Sequence, residues 1–132
     1  MVSGASAFDT AHLQKLKDSN ECIVCDLSEA YLNGANLNKA YLAYANLSAV
    51  DLSSADLSGA DLDRANLDGA DLSAADLTFA SLQGSDLIGA NLTGSDLSGA
   101  NLTGADLKGA DMKGAILCNT IMPDGSVIYS GC

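Results

Sequence analysis

The chain contains no tryptophan, and aromatic residues make up only 5% of its 132 positions. That argues against a bulky globular core. The 48% hydrophobic content is mostly alanine and leucine, which suits a narrow interior. Basic residues are scarce as well, 6 against 17 acidic ones, for a formal charge of −11. Phosphate contacts need clustered lysine and arginine, so nucleic-acid binding is not expected, nor is docking on an anionic membrane surface. No apolar run approaches the roughly 20 residues of a membrane-spanning helix. The segment from Met1 to Ala7 lacks the basic n-region and apolar h-region of a leader. A cytosolic protein fits that, and so does a mature domain whose leader was removed. The single histidine, His12, belongs to no catalytic grouping and is expected to be solvated. Neither a cofactor nor a metal is expected.

What the chain has in abundance is a beat of five. From Leu27 to Leu117 every fifth residue is leucine, Met112 excepted; alanine usually stands two positions before it and aspartate or asparagine one before. A fixed period of this kind governs the fold ahead of other signals. It matches neither helix nor strand. As a helix, successive leucines would rotate by about 140° and smear over the whole surface. One short extended side and one tight turn fit instead. Glycine occupies ten of the positions two after the central residue, and Gly59, Gly69, Gly94 and Gly104 there supply the positive φ a tight turn needs. Aspartate or asparagine can bond nearby backbone and favours turning. Alanine and leucine then face inward, and the other three positions face water. If each quintet turns the chain through about a right angle, four close one coil, and coils stack about 4.8 Å apart.

The A-[D/N]-L-x-x pattern resembles the pentapeptide repeat family, and the match runs from residue 25 to 119 without a gap. The resemblance implies an all-β solenoid, a right-handed quadrilateral β-helix of about five coils. Its squareness and handedness come from the resemblance; the period alone indicates only some coil of quintets. On that frame Leu27, Leu47, Leu67, Leu87 and Leu107 stack in one column, and the remaining central residues form three more. Ser85 and Ser95 replace the inward alanine and are expected to bond local carbonyls.

Residues 1–21 are expected to form an N-terminal tail and capping helix, 22–119 the β-helix, and 120–132 a hairpin-like cap, all one structural domain. The helix spans Phe8 to Lys17, with Asp9 as N-cap and Phe8 and Leu13 placed for a hydrophobic staple. Thr120 to Tyr129 reads as strand, Pro-Asp-Gly turn and strand.

By sequence alone four cysteines allow three pairings. On the coil implied by the resemblance, Cys22 and Cys25 lie at one end and Cys118 and Cys132 at the other. That leaves Cys22–Cys25 and Cys118–Cys132 as the expected disulfides, with Cys22 and Cys25 both pointing inward. Inert free thiols remain an alternative. A redox pair would want a basic neighbourhood, and the flanks here are Glu21 and Asp26. Disulfides favour an oxidising compartment, the thylakoid lumen or a periplasm, with the cytoplasm as the alternative.

Acidity is the one surface feature with functional potential. Residues 46–107 hold ten aspartates and one basic residue, Arg64. On the stacking frame Asp56, Asp76 and Asp96 form one outward column, and Asp51 and Asp71 neighbour each other on the preceding face. Stacked carboxylates are expected to repel, raising some pKa values or attracting cations. Their density approaches that of duplex DNA, about one charge per 1.7 Å. Some members of the family that this chain resembles are DNA mimics that bind type II topoisomerases. This chain departs from them in its central leucine, its lack of an inserted loop and its closed C-terminus. With its Glu-Cys-x-x-Cys-Asp start and Cys-Asn-Thr-x-Met-Pro-Asp-Gly finish, it looks more like the cyanobacterial and plastid-lumen branch. The expected function is therefore a monomeric, non-enzymatic structural or protein-interaction module whose partner is unknown. Topoisomerase mimicry is the first alternative, and thiol-disulfide activity through Cys22 and Cys25 the second.

Overall fold

A computed structural model describes residues 7–132, so the expectations for Met1–Ser6 lie outside the described residues. Parallel bridges join each residue that precedes a central position to its counterpart twenty residues on, from Glu21–Tyr41 through to Asn101–Ile121. Twenty residues are four quintets, so each coil has four sides. Side one carries Leu27 to Leu107, side two Leu32 to Met112, side three Leu37 to Leu117, and side four Cys22 to Met122.

Quintets with aspartate or asparagine before the central residue satisfy their backbone donors in one repeated way. In Asp71–Ala75, Asp71 N–H donates to the Val50 carbonyl of the preceding coil at 2.9 Å. Leu72 and Ala74 donate to Asn91 and Thr93 of the following coil at 2.7 and 2.9 Å. Ala75 closes the turn onto the Leu72 carbonyl at 3.1 Å. The fifth donor, Ser73 N–H, goes to the Asp71 carboxylate at 3.0 Å. A backbone amide must find a partner, and here the residue before leucine provides the last one. Aspartate and asparagine interchange at that position because each offers an Oδ1 acceptor.

The turn residue two after each of the nineteen central positions has positive φ, whether or not it is glycine. Nine are not glycine, among them Glu29 (φ 61), Tyr44 (φ 61) and Phe79 (φ 59). Such a conformation costs a non-glycine residue about 1–2 kcal/mol. The inter-coil ladder holds them there regardless.

The leucines between Leu42 and Leu102 are fully buried, and alanines fill the space beside them. Ser85 and Ser95 take alanine positions, and their hydroxyls donate to the Leu82 and Leu92 carbonyls at 2.8 and 2.7 Å. Helix α1 (Thr10–Ser19) starts at Asp9, whose carboxylate accepts from Ala11 and His12 N–H. It ends at Asn20 in the left-handed conformation. Leu16 is buried, and Phe8 and Leu13 pack partly against the core. Asp9 N–H reaches the Asp26 carbonyl at 3.1 Å, and Asn20 Nδ2 reaches the Asn38 carbonyl at 2.8 Å. Both acceptors lie on the open edge of the first coil.

At the other end β1 (Leu117–Ile121) pairs antiparallel with β2 (Val127–Ser130), with an irregularity between Cys118 and Thr120. The strand thus begins three residues before the expected Thr120, because the last side of the coil is itself the first strand of the hairpin. Thr120 is buried and donates to the Leu97 carbonyl at 2.7 Å. Leu107 and Met112, on sides one and two of the last coil, are only partly buried.

Candidate functional site

Asp56, Asp76 and Asp96 are bridged in register on side three, and Asp51 and Asp71 on side two. In each, Oδ1 serves the chain's own turn. The Asp56 oxygen accepts from Ser58 N–H at 3.0 Å and from its hydroxyl at 2.6 Å, and Asp51, Asp71 and Asp76 do the same with Ser53, Ser73 and Thr78. Asp96 accepts from Ser98 N–H at 2.9 Å. The expected upward pKa shift from stacked like charges does not hold at Asp56. The Ser58 hydroxyl, then its N–H, stabilises the carboxylate and lowers its pKa. Ser28 does the same for Asp26. Along both columns one carboxylate oxygen, Oδ1, is thus committed to the turn.

A missing acceptor can be made good by the neighbouring coil. Ser81 stands where aspartate is usual, and Asp63 of the preceding coil takes the Gln83 N–H at 2.9 Å while also accepting from the Ser81 hydroxyl. The recurring Ser or Thr two positions after Asp or Asn was the sequence signal for this role; it is easily taken for turn composition alone.

Cys22 and Cys25 have Cα atoms 5.3 Å apart and are bonded to each other; Cys118 and Cys132, 4.9 Å apart, form the second disulfide. Both sulfurs of the first pair are enclosed, with Cys22 0% and Cys25 3% exposed. His12 corrects the expectation of a solvated side chain. It is half-buried, and its Nδ1 accepts the Asp26 N–H at 2.9 Å. A histidine on a helix gives no sequence sign of which distant amide it will meet.

A shallow recess of about 560 Å³ lies between the end of α1 and the first coil, lined by Leu16, Lys17, Asn20, Leu32, Leu37 and Asn38. Among the described residues no group of three or more His, Cys, Asp or Glu side chains is arranged to hold a metal ion. No helix among them is long and apolar enough to cross a membrane.

Coils that repeat every twenty residues, with polar side chains serving their own turns, define a repeat solenoid. The family model for pentapeptide repeats matches residues 25–59, 55–94 and 85–122, and the chain belongs to that family. Its members fold as right-handed quadrilateral β-helices. No curated protein sequence matches the chain. Among solved structures it is similar to the pentapeptide repeat protein Rfr23 of the cyanobacterium Cyanothece 51142, with 29% identity, 92% of this chain and 99% of that one covered, and a TM-score of 0.71. A pentapeptide repeat protein from the Arabidopsis thaliana thylakoid lumen shares the fold at 24% identity, with 97% and 79% covered and a TM-score of 0.61. So does QnrB1, a plasmid-mediated fluoroquinolone resistance protein, at 22% identity, 83% and 67% covered and a TM-score of 0.50.

Proposed function

We propose that the chain is a non-enzymatic module that binds another protein, its rod of about five coils closed by α1 at one end and by the β1–β2 hairpin at the other. One observation carries this reading: the polar side chains of the repeat are spent on the turns, as at Asp71 and Ser73. What remains for function is a rigid, patterned surface. The aspartate columns on sides two and three are the first such surface, and we assign Asp51, Asp56, Asp71, Asp76 and Asp96 to it. The two disulfides support an oxidising compartment, the thylakoid lumen or a periplasm.

A pull-down from a cyanobacterial lumen fraction tests the reading, with a variant carrying asparagine at those five positions as control. Asparagine keeps the turn bond, as Asn91 does to Thr93 N–H at 3.0 Å, and removes only the charge. A protein retained by the wild type and lost with the variant supports the assignment. If nothing is retained specifically, or the same protein is retained by both, the assignment fails.

The density of the columns favours one other reading, mimicry of DNA toward a type II topoisomerase. A supercoiling assay decides it: unchanged gyrase activity at high protein concentration removes it. Thiol-disulfide activity has less support, because Cys22 and Cys25 are enclosed. Disulfide-reductase turnover that is lost in a Cys22→Ser/Cys25→Ser variant would establish it.

A further inference from the structure

Side four breaks the rules of the repeat at its N-terminal end. Tyr41 stands where aspartate or asparagine normally accepts the fifth amide, so the Ala43 N–H has no partner among the described residues. Val24 and Tyr44 take the left-handed turn position at φ 64 and 61, a conformation unfavourable for a tyrosine and more so for a β-branched valine. Packing does not offset these departures: Val24 is 68% exposed, Tyr41 56% and Tyr44 58%. Ile23 is exposed beside them. The ladder places all four together, since Cys22 N–H donates to Tyr41 and Val24 N–H to Ala43. Tyr31, another exposed ring at an aspartate position, stands alone on side two. Local rules broken without structural return point to a binding role.

We propose that Ile23, Val24, Tyr41 and Tyr44 form a docking surface for a basic peptide segment that carries apolar residues. The inference rests on reading the chain as an interaction module, but places the contact on a different side from the aspartate columns. Charge chooses the partner. Glu21 and Asp61 flank Tyr41 in its own column, and the chain as a whole carries −11. Two basic residues lie nearby, Lys39 and Arg64, and each lays its stem toward the glycine of the following coil, Gly59 and Gly84. A second copy would bring −11 against −11, whereas a basic segment would find carboxylates beside two ring faces that attract cations. Its apolar residues would cover Ile23 and Val24.

The test is a nitrogen-15 NMR titration with the peptide acetyl-Arg-Leu-Lys-Leu-Arg-Leu-amide. Two control peptides replace the leucines with serine or the basic residues with glutamate. Amide shifts should cluster at Ile23, Val24, Ala43 and Tyr44, and each control should bind about tenfold more weakly. A Val24→Gly/Tyr44→Gly variant should melt at a higher temperature, because glycine accepts the left-handed turn, and should lose about tenfold in affinity. The proposal is overturned if the wild type takes up no peptide, if the variant binds equally well, or if the variant melts lower. Shifts that appear with phosphatidylcholine vesicles in place of the peptide also overturn it. Shifts confined to Asp51–Asp96 would leave the interaction-module reading standing and remove this surface. Binding here together with an empty pull-down would remove the assignment of the columns instead.

Discussion

His12 Nδ1 accepts the Asp26 N–H at 2.9 Å, standing where a preceding coil would supply a carbonyl, as Cys25 does for the Asn46 N–H at 2.8 Å. Asp9 completes the exchange by donating to the Asp26 carbonyl. The helix thus satisfies one side of the first coil as another coil would. An open sheet edge is a template for aggregation, and side one is protected at this point. His12→Ala should cost about 1–2 kcal/mol, the price of leaving that amide unpaired. Urea denaturation measures the loss. Hydrogen exchange should quicken at the Asp26 amide while Asn46 stays protected. Equal protection of Asp26 in both proteins would contradict this role.

The lowered pKa values give stability a defined acid limb. Asp26 and Asp56 titrate below the ordinary 3.8 when folded, chiefly because the Ser28 and Ser58 hydroxyls hydrogen-bond the charged form. A depressed folded value means that the contribution is complete above the unfolded pKa and is lost as pH falls through the folded one. An Asp26→Asn/Asp56→Asn variant keeps both acceptors. Without the charge its Tm should lie below the wild type's at about pH 7, and the two should converge on acidification to about pH 3. Parallel Tm curves would rule out these two groups as the cause.

Gly99 sits under the Phe79 ring. A Cβ added at Gly99, where φ is +71, would come within 2.6 Å of that ring, whereas one at Gly94, φ +66, meets nothing within 4 Å. Gly94→Ala should therefore show only the backbone penalty, about 1 kcal/mol. Gly99→Ala should cost roughly 1 kcal/mol more through overpacking. Removing the ring with Phe79→Ala should bring the two alanine variants level. Thermal melts of the double-mutant cycle measure this coupling, and additive effects would mean that the ring moves aside freely.

Burial predicts a gradient along the rod. Leu67 is fully enclosed in the middle, and Leu67→Ala should cost about 2–5 kcal/mol. Met112, partly buried in the last coil, should lose about 1 kcal/mol or less on the same truncation. Chemical denaturation of both variants compares them directly.

The columns were legible because leucine and alanine recur at a period with no other structural outlet, and the twenty-residue stacking follows once each quintet is a side. Less legible were features decided by the ladder rather than by local preference. Glu29, Tyr44 and Phe79 would not be chosen for left-handed turns from propensity, yet inter-coil bonds such as Tyr44 N–H to the Asp63 carbonyl at 2.9 Å keep them there. The role of His12 depends on a contact across fourteen positions that no local pattern encodes. The hairpin starts three residues before its sequence pattern suggests, because Leu117 belongs to both the repeat and the strand. The aspartate columns were visible as charge and their backbone bonding followed from residue type, but the Ser or Thr hydroxyl that shares the same Oδ1, as Ser73 does with Asp71, was not.

An unbroken ladder separates two ends, each fastened by its own disulfide. Peptide mapping by mass spectrometry under non-reducing conditions, on protein oxidised in air, tests it most directly. The expected map joins Cys22 to Cys25 and Cys118 to Cys132. Any link between the two pairs, or four free thiols, would contradict it.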